Sequence, residues 1–232
     1  MSARRAGWIR PVGVLLILLV ALLGLAPAGR QDAVGFSLGV ACGDMTADSV
    51  VLWTRPDRPT TIVAEIDDRS DFATARRVGP FEARPADDFT VHAVVDGLAA
   101  GTRYHYRFQA SDGARSEPGT CRTAYAPDQA AALTFAFSGD ADWIWRPFPL
   151  LRALNRESLD FFVFLGDLIY EWTDDAADFA ARPVAETLDE YRAIYRRTRT
   201  PRAEAPALAW LRDTYARFGQ YSVFDTRREN PP

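Results

Sequence analysis

The sequence predicts two folded parts: a β-sandwich of the fibronectin III or immunoglobulin type, followed by an incomplete α/β domain. Residues 34–124 contain short strand-like runs separated by turn signals, which is typical of an all-β sandwich. Residues 132–232 alternate strand-like apolar runs with helical patterns, which favours parallel strands joined by helices. Between them, residues 125–131 (YAPDQAA) contain a proline and polar residues, and this composition predicts a linker.

The N-terminus has the features of an export signal. Three arginines within the first ten residues precede an apolar run over 12–25, and residues 26–28 (APA) offer a small-residue cleavage site. This pattern predicts a signal peptide over residues 1–28, with an uncleaved anchor as the alternative. Two adjacent arginines, Arg4 and Arg5, raise the twin-arginine route as one way of export. We therefore expect a periplasmic, secreted or cell-surface protein whose membrane association is limited to its export signal.

Charge and composition narrow the class of protein. The 232 residues carry a formal net charge of −4, and all 27 basic residues are arginines. Removal of residues 1–28 takes away three arginines and no acidic residue, so the charge becomes −4 − 3 = −7. An acidic chain gives no reason to expect nucleic acid as a partner. Two cysteines and two histidines argue against a Cys/His zinc site and against a dense disulfide scaffold.

The first part contains four clear strand patterns. They are predicted over residues 49–54, 61–66, 90–95 and 104–110. The spacing from Leu98 to Tyr104 suits a tyrosine corner, in which a phenol ties down the loop before a strand. His92 and His105 fall within these strands, where we interpret them as residues of a partly exposed face.

The two cysteines stand near the two ends of the predicted sandwich. In an oxidising compartment Cys42 and Cys121 are candidates for a disulfide that closes a long loop. Two free buried thiols are the alternative, because a sequence does not show whether the two Cα atoms come close enough.

The second part begins with a strand-helix-strand pattern. Strands are predicted over residues 133–137 and 161–165, with a helix over 149–158 between them. Two further helices are predicted over 188–197 and 208–218, and a third strand over 221–224. A sheet of three strands is small and leaves an open edge, so this domain looks incomplete.

Two polar turns follow the first two strands of this domain. One carries Asp140 and Asp142, and the other carries Asp167 and Tyr170. Because ligand-binding groups in parallel sheets lie past the carboxyl ends of the strands, we expect these side chains to face one crevice. Carboxylates are hard oxygen ligands for Ca, Mg, Mn or Fe, and a phenolate ligand requires a strongly acidic metal such as Fe(III). The structural alternative is that the aspartates cap a helix and the tyrosine packs.

Four stretches together resemble the PhoD-type alkaline phosphatases and phosphodiesterases, in the order in which that family has them. The stretches are residues 36–55 (FSLGVACGDMTADSVVLWTR), 135–143 (FAFSGDADW), 160–172 (DFFVFLGDLIYEW) and 221–229 (YSVFDTRRE). The resemblance implies an exported metallophosphatase with an N-terminal β-sandwich and a calcineurin-like α/β core. It further implies hydrolysis of phosphate mono- or diesters by a metal-bound hydroxide, with Fe(III) and/or Ca or another divalent metal as the cofactor.

The resemblance also assigns roles to single residues. Asp140 matches the metal position after the first strand, Asp167 matches the bridging aspartate, and Tyr170 matches the tyrosine ligand of the iron-type site. Asp142 matches less well, as a ligand or as a residue behind the ligands. Asp225 matches the first residue of the family's Asp-Asp-His-Glu segment.

After Asp225 the sequence departs from the family's pattern. Thr226, Arg227 and Arg228 stand where the family has Asp, His and Glu, and no histidine follows His105. We therefore expect a chain that is truncated or frameshifted at its C-terminus and that has little or no catalytic activity alone. The alternative function is a non-catalytic exported β-sandwich binding module with a vestigial phosphatase domain.

Overall fold

The computed structural model describes residues 32–140, 149–173, 182–199 and 210–222. Within these ranges the strands are β1 (Val40–Gly43), β2 (Val50–Thr54), β3 (Thr60–Asp67), β4 (Arg76–Ala83), β5 (Val91–Val95), β6 (Arg103–Ala110), β7 (Gly119–Arg122), β8 (Phe135–Ser138), β9 (Phe161–Phe164) and β10 (Gly219–Ser222). The helices are α1 (Pro149–Leu154), α2 (Leu188–Arg199) and α3 (Trp210–Arg217), and a 3-10 turn covers Pro85–Asp87. The predicted export signal over residues 1–28 lies outside these ranges.

The strands form two sheets. One sheet has six strands in the order β5-β2-β1-β10-β9-β8, and the other has four strands in the order β4-β3-β6-β7. The pairs β8–β9, β9–β10 and β10–β1 are parallel, whereas the pairs β1–β2 and β2–β5 are antiparallel. The parallel pair of β1 and β10 joins the two halves of the six-stranded sheet through Gly43 and Gln220.

The two sheets share one apolar core. Every second side chain of β2 and β5 is buried, as expected for strands with one face inside. These side chains, such as Leu52 and Ala93, belong to the same core as Ile62, Tyr106 and Phe108 of the four-stranded sheet. The chain is thus mostly sheet with few helices, and two layers face each other in the part where the sequence predicts a sandwich.

A second core covers the parallel strands. Phe162 of β9 is fully buried together with Leu151 of α1 and with Tyr215 and Phe218 at the end of α3. Helix α1 connects β8 to β9, which are parallel neighbours, so the predicted strand-helix-strand unit is present. This packing holds the strands from which the two carboxylate turns emerge.

The expectation of a separate three-stranded sheet is wrong. The strands β8, β9 and β10 continue into β1, β2 and β5, because β1 offers β10 an edge for parallel pairing. The predicted strand over 133–137 begins two residues later, at Phe135, and the predicted helix over 149–158 ends at Leu154.

One local feature concerns a loop of the first domain. The Tyr104 hydroxyl accepts a hydrogen bond of 2.9 Å from the Ala99 backbone N–H, as the predicted tyrosine corner requires. Among the described residues, no helix is long and apolar enough to cross a membrane.

Helix α2 is hydrogen-bonded to the turn that precedes β5. The carboxylate of Asp88 accepts hydrogen bonds from Arg55 Nη2 at 2.9 Å and from Arg196 Nη1 at 2.8 Å. Arg192 of the same helix donates to the Ala86 carbonyl oxygen at 3.1 Å. These contacts link a helix of the second half of the chain to a loop of the first half.

Candidate functional site

The candidate site lies where β8 and β9 end. The two strands are parallel and in register, with Ser138 opposite Phe164, so both carboxyl ends reach the same edge of the sheet. Two backbone hydrogen bonds continue past that edge and tie the turns together. Leu165 N–H donates to the Ser138 carbonyl at 2.8 Å, and Asp140 N–H donates to the Gly166 carbonyl at 3.2 Å.

Both turns have left-handed backbone at their aspartates. The φ angles are 57° at Asp140 and 59° at Asp167, a region in which aspartate is enriched among non-glycine residues. Gly166 has φ 116°, and an added Cβ there would meet nothing within 4 Å. Only glycine adopts this backbone region without strain, so Gly166 permits the sharp turn before Asp167.

Three oxygen atoms converge at this edge. The Tyr170 hydroxyl is 2.5 Å from Asp140 Oδ1 and 3.0 Å from Asp167 Oδ2. A phenol carries a single proton, so the shorter contact identifies Asp140 as its main acceptor and leaves Asp167 as a weaker one. Three of the predicted site residues are therefore brought together from two different turns.

The two carboxylates change the acidity of the phenol. The hydrogen bond to Asp140, helped by desolvation and by the hydrogen bond to Asp167, raises the pKa of Tyr170 well above its ordinary value. Tyr170 is consequently a neutral donor at neutral pH in this arrangement. Its conversion to a phenolate requires a positive charge that outweighs the two neighbouring carboxylates.

The donor set fits a hard cation. Two carboxylates and a phenol offer only oxygen atoms, which suits Ca, Mn or Fe(III) and not a soft metal. Within the described ranges there is no group of three or more His, Cys, Asp or Glu side chains placed to hold a metal ion. Asp142 and Asp225, the other two predicted ligands, lie outside the described residues.

Two apolar residues between Asp167 and Tyr170 anchor the second turn. Leu168 packs against the core formed by Phe162 and its neighbours, and Ile169 packs against Ala185 and Ile194 of the α2 region. The chain after Tyr170 is held by a 2.7 Å hydrogen bond from Ala185 N–H to the Glu171 carbonyl. This anchoring was not predicted, although the apolar pair between Asp167 and Tyr170 is a sequence pattern that indicates it.

The two predicted disulfide partners lie in the core that the two sheets share. Cys42 and Cys121 are buried free thiols, and the disulfide stays a prediction.

Comparisons with known proteins agree on one family. Residues 24–125 match the family model of the PhoD-like phosphatase N-terminal domain, and residues 134–211 match the PhoD-like phosphatase model. The chain is 31% identical over 198 residues to alkaline phosphatase D of Bacillus subtilis (strain 168), an alignment that covers 76% of this chain and 34% of that protein.

A solved structure, described as the structure of PhoD, is similar in fold. It superposes with a TM-score of 0.73 at 28% identity, over 85% of this chain and 40% of that one. The chain thus spans about a third of the length of its curated relative.

Proposed function

The chain belongs to the PhoD-like phosphatase family, and we propose that it is an exported, metal-dependent hydrolase of phosphate mono- or diesters. One observation carries the proposal: Asp140 and Asp167 converge on the Tyr170 hydroxyl at the carboxyl edge of two parallel strands. A packing role alone does not require two carboxylates beside one phenol, because the single phenolic proton is donated mainly to Asp140 and does not offset both negative charges.

The proposed ligands are Asp140, Asp167 and Tyr170, together with Asp142 and Asp225. Fe(III) and/or Ca or another divalent metal suits their oxygen atoms. Such a cation supplies Lewis acidity toward a phosphoryl oxygen and activates water.

The side chains of this chain have separate tasks in that scheme. Tyr170 would help to hold the cation as a phenolate, and the proton that it now donates to Asp140 would then be released. Asp167, which follows a glycine with open space beside it, is the proposed bridging carboxylate. Asp140 is held by its backbone hydrogen bond to Gly166, which links the two turns.

The proposed division of the chain follows the sequence analysis. Residues 34–124 are a β-sandwich of the immunoglobulin or fibronectin III type, 125–131 a linker and 132–232 a partial metallophosphatase domain. The two family-model matches, which meet between residues 125 and 134, support this division. Export by a signal over residues 1–28 is supported by the sequence pattern alone.

Metal binding by the full chain tests the site. Purified chain is titrated with Fe(III), Ca and Mn, and bound metal, released protons and turnover of a phosphomonoester and a phosphodiester are measured. We expect Asp167→Asn to weaken metal binding by at least ~100-fold, since loss of a ligand costs more than loss of a residue behind it. Asp189→Asn is the matched control, because Asp189 carries the same charge but is exposed on α2, 3.3 Å from Arg192.

A second variant tests the tyrosine. A Tyr170 phenolate bound to Fe(III) gives a visible charge-transfer band, and Tyr170→Phe should lose that band. We expect catalytic turnover by this chain to be weak, so metal binding is the primary measurement. Absence of bound metal in the unaltered chain, or equal binding by the Asp167→Asn and Asp189→Asn variants, would exclude the proposed site.

A further inference from the structure

The only two cysteines of the chain meet between the two sheets. Cys42 lies on β1 of the six-stranded sheet, and Cys121 lies on β7 of the four-stranded sheet. Their exposed fractions are 1% and 2%, and both belong to the shared core. Strands β1 and β7 pack against each other in this core, so the two side chains lie close together although 79 positions separate them along the chain.

We infer that Cys42 and Cys121 form a disulfide that joins the two sheets, and that the bond forms while the chain folds and not in the completed fold. The inference rests on the proposed export, because disulfides persist in oxidising compartments. It does not depend on the metal site.

Burial decides when the bond can form. A thiolate is the attacking species in disulfide exchange, and an oxidant must reach it. In the completed fold burial raises the pKa of the Cys42 thiol well above its ordinary value, and the neighbouring Cys121 thiol adds to this effect. Tyr106 and Met45, both buried in the same core, also exclude an oxidant. The unfolded chain has neither obstacle.

The chemistry needs an oxidant that is itself a disulfide, either a small molecule or a protein. One cysteine thiolate attacks a sulfur of the oxidant, which forms a mixed disulfide and releases one thiol. The second cysteine thiolate attacks the mixed disulfide, closes the Cys42–Cys121 bond and releases the second thiol. The two thiols of this chain together lose two electrons, and the oxidant takes them up and becomes two thiols.

The bond would lie beside the pair of strands β1 and β10, which joins the two halves of the six-stranded sheet. Strand β1 pairs with β10 at Gly43, next to Cys42. A Cβ added to Gly219, the first residue of β10, would be 3.6 Å from the Cys121 Cβ. The crosslink therefore restrains the strand pair that connects the sandwich strands to β9 and β8.

Mass spectrometry of the exported chain tests the first half of the inference. The chain is unfolded without reductant, alkylated and digested with trypsin. We expect no alkylated cysteine, an intact mass about 2 Da below that of the reduced chain, and a linked pair of tryptic peptides, 31–69 with 116–122. Two alkylated cysteines, a mixed disulfide with a small thiol, or a disulfide-linked dimer would each overturn it.

Timed oxidation tests the second half. Reduced folded chain and reduced chain diluted from denaturant are each exposed to glutathione disulfide. We expect only the folding chain to become crosslinked at a measurable rate, and equal rates would overturn the claim.

The unfolding temperature of the chain gives an independent test. We expect the oxidised chain to unfold about 10 °C above the reduced chain, because the crosslink closes a loop of about 80 residues. The Cys42→Ser/Cys121→Ser double variant should show no difference between oxidising and reducing conditions. A similar shift in the double variant would contradict the assignment. Normal metal binding with no crosslink would refute this inference alone and leave the proposed function intact.

Discussion

Two tyrosines of β6 occupy opposite hydrogen-bonding situations. The Tyr106 hydroxyl is fully buried and has no hydrogen-bond partner within the described part of the chain. The Tyr104 hydroxyl, two residues earlier, accepts the Ala99 N–H. A buried polar group without a partner costs free energy, whereas a partnered one contributes to stability.

We predict that Tyr106→Phe leaves the free energy of unfolding unchanged or raises it by ~1 kcal/mol, whereas Tyr104→Phe lowers it by ~1 kcal/mol. Each variant removes the same atom, so each is the control for the other. Urea unfolding at neutral pH measures both. A larger loss for Tyr106→Phe than for Tyr104→Phe would contradict the assignment of the unpartnered hydroxyl.

Among the elements, helix α2 contacts the first half of the chain through several groups, one of which is the carboxylate of Asp88. Asp88 is 17% exposed and binds both Arg55, which is 10% exposed, and Arg196. Burial opposes its ionisation, but the Arg55 and Arg196 guanidinium groups hold the pKa of Asp88 below its ordinary value. The stabilisation is therefore present above the ordinary pKa and is lost as the pH falls through the lowered one.

We predict that Asp88→Asn lowers the free energy of unfolding by about 1–3 kcal/mol at pH 7. Asparagine tolerates the φ of 50° at this position, so the change tests the charge and not the backbone. The neighbouring Asp87→Asn, which removes an exposed pair with Arg84, should change it by less than ~0.5 kcal/mol. The cost of Asp88→Asn should shrink as the pH falls through the lowered pKa of Asp88, and an equal cost at neutral and acidic pH would contradict the ion-pair explanation.

The elements that the sequence predicted are those with strong local patterns. Strands β2, β3, β5 and β6 were predicted to within a few residues, because apolar side chains alternate along them. Strand β4 (RRVGPFEA) was missed because its side chains are mostly exposed and it contains Gly79 and Pro80, which signal a turn. Such an edge strand is held by its neighbour β3 and has no pattern of its own.

At the scale of the whole molecule, one sheet runs through both parts of the chain. The pairing of β1 with β10 joins positions that are far apart in sequence, and no local pattern signals such a pair. The convergence of Asp140, Asp167 and Tyr170 was predictable because these residues belong to short motifs at the ends of adjacent parallel strands. The continuity of the sheet was not predictable, because it depends on the pairing of β10 with β1, two strands that are far apart in the sequence.

A continuous sheet predicts cooperative unfolding. We expect Trp fluorescence and far-ultraviolet circular dichroism to report a single, coincident urea transition. The reason is that the two halves of the six-stranded sheet are joined by backbone pairing between β1 and β10. Two separated transitions would show instead that the sandwich unfolds apart from the parallel strands.

The left-handed backbone at Asp140 and Asp167 has a consequence for how such chains diverge. At each position the fold alone favours aspartate, asparagine or glycine, whatever the chemistry requires. A copy released from selection for catalysis would therefore still tend to keep one of these three residue types at each position, because the turns require it. The backbone at Tyr170 is not left-handed, so it places no such restriction on the residue type. Among copies of this domain that are no longer selected for activity, substitution of Tyr170 would therefore be the earlier sign of that loss.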